Sequence, residues 1–237
     1  KDELKFSFRV ATDFKKTSDE YGAQLTAMLT ANGVSVQEIE GGIISSVVPN
    51  VTATLKNAVK KYTGTDPLVV GPGIKTGLSI IIDNPAQLGS DLVVDAVAGL
   101  NEYTAPMVII DMGTATTVSV VDGDKNFIGG MIMPGLRLST EALSSKTSQL
   151  PQISLKKPER AIGRNTIDCM RSGIMLGAAC MLDGMVERME EELGYETKVI
   201  ITGGIAKFVT PLCRREMIYD KDLLVKGLAI LYRENRK

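Results

Sequence analysis

Short segments of this 237-residue chain carry residue types that could do chemistry. In Asp111-Met112-Gly113-Thr114-Ala115-Thr116-Thr117, an aspartate ends an apolar run, a glycine makes a turn, and threonines follow. Such a loop suits a phosphate group. Glycine lets the backbone come close to an anion, and amide and hydroxyl groups donate hydrogen bonds to it. The Asp111 carboxylate would hold a cation or polarise a water; the same residues also make an ordinary hairpin. A second segment, Thr202-Gly203-Gly204, ends another apolar run and opens a helical pattern. It fits a nucleotide lying on bare backbone at a helix N-terminus, or simply close helix–strand packing. A third, Leu88-Gly89-Ser90-Asp91, stands at a helix entrance. There Asp91 could take a proton from a substrate hydroxyl, or merely cap the helix.

Composition narrows the chemistry. The chain has no histidine, which excludes histidine bases, histidine triads and histidine metal ligands. Carboxylates, hydroxyls, backbone amides and bound ions remain. Cys169, Cys180 and Cys213 lack metal-ligand spacing and read as reduced thiols. A formal net charge of -1 without a basic tract argues against nucleic acid as partner. No apolar run approaches the roughly 20 residues of a membrane span, and the first residues do not read as a signal peptide. Lys1-Asp2-Glu3-Leu4 spells a retention tetrapeptide that is read only at a C-terminus, and the Asn50-Val51-Thr52 sequon reads as chance.

Alternating strands and helices must position these segments. Residues 5–11 alternate like the far arm of a hairpin. Thr17-Ser18-Asp19-Glu20 starts a helix that Asn32-Gly33 ends. Residues 42–48 read as a buried parallel strand, 51–62 as a helix, and 67–70 as another strand. Residues 91–100 read as a helix. Three strands follow at 107–110, 116–121 and 126–133, a β-meander. The polar stretch 144–158 reads as a mobile surface loop with short helical pieces, and 166–193 as a long helix stopped by Gly194. A strand at 199–201, a helix from Ile205 onward and a helix at 222–233 complete the pattern. The texture changes near residue 90 with no flexible linker, so an N-terminal lobe at 1–90 and a C-terminal lobe at 91–237 are expected in an α/β layer fold.

Taken in order, the motifs resemble one family. Gly71-Pro72-Gly73-Ile74-Lys75-Thr76-Gly77-Leu78, Asp83-Asn84-Pro85, Gly89-Ser90-Asp91, Asp111 to Thr117, Gly129-Gly130, Pro134-Gly135, Gly163-Arg164-Asn165-Thr166, Ser172-Gly173 and Thr202-Gly203-Gly204 resemble the type III pantothenate kinase series. Ile44-Ser45-Ser46-Val47-Val48-Pro49-Asn50 and Gly227-Leu228 fit as well, so the resemblance spans essentially the whole chain. It implies a two-lobed, ribonuclease-H-like α/β fold of the actin and sugar-kinase superfamily. It also implies transfer of the γ-phosphate of ATP to the primary hydroxyl of pantothenate, the first step towards coenzyme A.

By resemblance, Asp91 is the proton acceptor, and Gly89, Ser90, Asp91 and Leu92 line the pantothenate site. Thr166 contacts pantothenate from the partner subunit's side. Asp111 holds a monovalent cation, potassium or ammonium. Gly113 and Thr114 contact ATP, with Thr202, Gly203 and Gly204 near the nucleotide. Magnesium travels with ATP, and the protein is a cytoplasmic homodimer with the long helix at its interface. Phosphoryl transfer depends on positioning and charge neutralisation, so a site without histidine is no handicap.

The sequence departs from that family in two places. The first phosphate loop, Asp-x-Gly-Asn-Thr between two strands, is missing from the chain as given, and an upstream segment carrying it is expected. Leu92 stands where the family often has arginine, which removes charge and donors, and Asp95 falls one helical turn after Asp91. These departures keep two alternatives open: a non-catalytic regulatory or scaffolding paralogue, and a kinase of another small alcohol.

Overall fold

The computed structural model describes residues 3–236. In chain order the elements are α1 (Ser18–Ala31), β1 (Ile43–Ile44), α2 (Pro49–Thr63), β2 (Leu68–Val69), β3 (Ser79–Ile80), α3 (Ser90–Glu102), β4 (Met107–Met112), β5 (Ala115–Val121) and β6 (Asn126–Pro134). They continue with α4 (Leu136–Lys146), α5 (Thr166–Leu193), β7 (Lys198–Thr202), α6 (Ala206–Val209), β8 (Ile218–Tyr219) and α7 (Leu223–Asn235). The chain divides into two compact units built from discontinuous segments. One comprises Lys1–Gly77, Ala86–Ala98 and Leu224–Lys237; the other comprises Leu78–Pro85 and Gly99–Leu223.

In the first unit, α1 begins at a reciprocal cap. The Glu20 amide donates to Thr17 Oγ1 at 3.3 Å, and the Thr17 amide donates to Glu20 Oε2 at 2.8 Å. Two otherwise orphaned donors are thereby satisfied. Gly22 lets α1 approach α2 closely: a Cβ there would fall 2.2 Å from the Tyr62 ring. β1 and β2 pair in parallel, Ile43 with Leu68 and Ile44 with Val69. The strand expected over 42–48 is thus shorter, because the chain turns at residues 45–48 ahead of Pro49. Residues 5–11 form no strand, contrary to their alternation. A strand needs a hydrogen-bonded neighbour, and among the described residues none pairs with this segment.

The second unit holds a six-stranded sheet in the order β3-β6-β5-β4-β7-β8. β4, β5 and β6 form the expected antiparallel meander, and β7 joins β4 in parallel. The central β4 is apolar on both faces, as a fully covered strand must be. α5 covers one face: Met175, Leu182 and Val186, at helical spacing, pack with Val108, Ile110, Val118 and Ile201. Each such side chain contributes roughly 1.5–3 kcal/mol by leaving water. In length and apolarity α5 matches a membrane span, contrary to the reading of the sequence, but these contacts make it a core helix of this unit. Met170, Met175 and Met189 of α5 are buried as well.

Candidate functional site

The sheet brings the second-unit candidates together. β4 ends at Asp111-Met112, where Asp111 pairs with Thr117 of β5 and with Thr202 of β7. Side chains directly opposite one another share a face of the sheet, so the carboxylate stands between two threonines. Asp111 and Thr117 are half-buried; Thr202 is buried. The Gly113 amide donates to the Ala115 carbonyl at 3.0 Å, which closes the turn and leaves Thr114 exposed at its tip.

Gly203 shows why this turn needs a glycine opposite it. Its φ is +96°, and an added Cβ would lie 2.6 Å from Asp111 Oδ1 and 2.6 Å from the Met112 carbonyl oxygen. The β7 loop therefore lies directly on the Asp111 carboxylate. α4 approaches from another side: a Cβ at Gly135, its N-cap, would fall 2.2 Å from the Thr114 carbonyl oxygen. The first turn of α4, with free backbone N–H groups, therefore abuts the Gly113-Thr114 turn. Beside exposed Gly204 opens a cavity of about 410 Å³, lined by Arg137, Thr140 and Glu141 of α4 and by Gln152 and Ile153. That volume lies within the range of small-molecule sites. The sequence reading missed this wall. The residues of 144–158 predict a surface loop with short helical pieces, whereas the helix of this wall begins earlier, at Leu136.

In the first unit, Gly89, Ser90, Asp91 and Leu92 form the entrance and first turn of α3, all half-buried. The Leu92 amide donates to Asp91 Oδ1 at 3.0 Å, so the carboxylate folds over its own helix start, where the helix dipole favours negative charge. Gly89 makes room for it: a Cβ there would lie 2.5 Å from Asp91 Oδ1. Asp95, one turn on, is buried at 1% exposure, whereas Asp91 is not. Thr166 is exposed at the first residue of α5. It does not cap that helix, because Asn165 Oδ1 accepts from the Asp168 amide at 2.9 Å instead. Among the described residues no cluster of three acidic or cysteine side chains forms a metal cage.

The fold is α/β, with a mixed six-stranded sheet in the second unit. The chain matches the family model of type III pantothenate kinase over residues 1–188, and it belongs to that family. Among solved structures it is similar to a protein described as a Baf family transcriptional activator from Campylobacter jejuni. The identity is 22% and the TM-score 0.57, covering 84% of this chain and 86% of that one. It also matches the ethanolamine utilization protein EutJ from Carboxydothermus hydrogenoformans, at 16% identity and TM-score 0.49, over 90% of this chain and 73% of that one. An inorganic polyphosphate/ATP-glucomannokinase from Arthrobacter sp. strain KM matches at 14% identity and TM-score 0.41, over 94% and 86% of the two chains. At 22% identity the first of these likenesses is one of fold. Membership of a kinase family implies ATP, with its magnesium, and a small acceptor molecule.

Proposed function

We propose that this protein phosphorylates the primary hydroxyl of pantothenate with ATP, giving 4'-phosphopantothenate, the first step of coenzyme A biosynthesis. The carrying observation is the convergence of Asp111, the Gly113-Thr114 turn and Gly203 at one end of the sheet, in a chain of this kinase family. The Thr114 backbone N–H and hydroxyl, at the exposed tip of that turn, donate to the phosphates. Gly204 and the cavity beside it take the nucleoside. Asp91 orients the acceptor hydroxyl and accepts its proton as the new P–O bond forms and the bond to the β-phosphate breaks, releasing ADP. Gly89, Ser90 and Leu92 surround the acceptor, and Thr166 contacts it from the partner subunit.

The oxygens of the Asp111 carboxylate and the Met112 carbonyl, gathered beside Gly203, suit a hard monovalent cation such as potassium or ammonium. Such an ion supplies neutralising charge beside the phosphates. The exposed α5 face at Gly173 and Gly177, with open space above both glycines, supports a homodimer through that helix. A cytoplasmic setting follows from the substrate pair.

Leu92 favours a second reading, a kinase of a less polar alcohol, since leucine offers no charge to the pantothenate carboxylate. A panel of primary alcohols with ATP, magnesium and potassium separates the two. Phosphopantothenate detected by mass spectrometry supports the first reading. Turnover of another alcohol alone, by folded protein that binds ATP, overturns it.

A further inference from the structure

The turn at residues 45–48 has no role in the reading above, yet it lies against the α3 entrance. Ser45 Oγ donates to Ser90 Oγ at 2.9 Å, across 45 residues of sequence. Val47 Cγ1 lies 3.7 Å from the place a Gly89 Cβ would take, beside the Asp91 carboxylate. The turn is itself braced, because the Val48 amide donates to Ser46 Oγ at 3.1 Å. Val47 is held outward, 62% exposed. A single exposed valine is ordinary on a protein surface; its seat against Gly89 and Asp91 distinguishes this one.

We propose that this turn is the second wall of the acceptor-alcohol site, with Ser45 a positioning residue and Val47 a specificity residue. Two hydroxyls share the Ser45–Ser90 bond. One of their two protons is used in it, and the other remains for a ligand whichever way the bond is drawn. Ser45 thus fixes Ser90, the neighbour of Asp91, while leaving the pair one donor. Val47 presents aliphatic surface beside Gly89 and the Asp91 carboxylate. Resting on the pantothenate reading, the match is direct: the reacting hydroxymethyl group of pantothenate is attached to a carbon bearing two methyl groups. An aliphatic wall beside the proton acceptor packs against those methyls while the hydroxyl reaches Asp91.

The test is steady-state kinetics of the full-length protein with pantothenate and ATP varied separately. Ser45→Ala is expected to lower kcat/KM for pantothenate roughly two- to tenfold, the worth of one hydrogen bond, with recovery in Ser45→Thr. Val47→Thr keeps the shape and replaces a methyl by a hydroxyl; it is expected to raise the pantothenate KM roughly fourfold. The ATP KM stays at the wild-type value in both, a separation that mere loosening of the first unit would not produce. Wild-type pantothenate kinetics in either variant, or an equal change in the ATP KM, overturns the wall. If the unmodified protein does not turn over pantothenate, the pantothenate reading fails first and the wall with it.

Discussion

Gly203→Ala perturbs the junction on which the nucleotide site depends. The residue has φ +96°, so an L side chain there carries backbone strain of about 1–2 kcal/mol. For a chain of this size that strain lowers Tm by roughly 2–8 °C. The methyl group also needs space that is already taken. It would lie 2.6 Å from both Asp111 Oδ1 and the Met112 carbonyl oxygen, about 0.8 Å short of ordinary contact. The carbonyl belongs to central strand β4 and cannot yield, so the Asp111 carboxylate and the Gly203 loop must part. A displacement approaching 1 Å in a positioned site costs roughly 10- to 100-fold. Nucleotide binding, followed by calorimetry with ATP and magnesium, should weaken by that factor. Gly194→Ala is the control. Gly194 ends α5 at φ +76° with nothing within 4 Å, so the same strain arises without a clash. It should lower Tm comparably and leave the ATP Kd unchanged. Equal Tm losses with wild-type ATP binding in Gly203→Ala would refute the close apposition of Gly203 and Asp111.

Other consequences follow from particular contacts. Asp111→Asn should reduce activation by potassium relative to sodium in the turnover assay, whereas equal activation in both proteins would remove the cation from Asp111. Burial pushes the Cys213 thiol up to about 12, while Cys169 and Cys180 are exposed. Iodoacetamide near pH 8 should therefore spare Cys213 in the native protein and label it only after unfolding in urea, read by peptide mapping. Burial works to raise the Glu190 pKa, but bonds from Thr197 and the Arg215 guanidinium outweigh it and hold the carboxyl below its ordinary 4.5. Its stabilisation is thus fully present above pH 4.5 and lost as pH falls through the lower native value. Arg215→Ala should flatten the fall of Tm below pH 4.5; an unchanged slope would contradict it. Thr17→Ala should cost about 1 kcal/mol through the α1 cap, measured by urea denaturation.

Where local chemistry decides structure, the sequence was legible. The Thr17–Glu20 cap, the Gly194 stop and the meander around Gly113 each depend on residues within a turn of one another. α4 was not legible, because it lacks the usual signals. Its N-cap is Gly135 without a side-chain bond, and Thr140, Ser144 and Thr147 donate back to carbonyls four residues earlier. Such residues read as loop formers. The helix from Ile205 is cut to four residues because Pro211 follows closely and ends it in a tight turn. β3 and β8, two residues each, exist only through pairing with β6 and β7, which no local pattern announces. For the site, Asp111, Gly113, Thr202 and Gly203 could be read as types but not as neighbours. Their meeting depends on the parallel register of β4 with β7, a contact between segments some ninety residues apart. The Ser45–Ser90 contact was hidden for the same reason.

The most direct test is the rate of 4'-phosphopantothenate formation by full-length protein and its Asp91→Asn variant, with ATP binding measured on both. A carboxylate that takes the hydroxyl proton contributes roughly 10²- to 10⁴-fold. The variant should lose that much turnover while binding ATP as the unmodified protein does. Turnover at the unmodified rate in Asp91→Asn would contradict the assignment of Asp91 as proton acceptor.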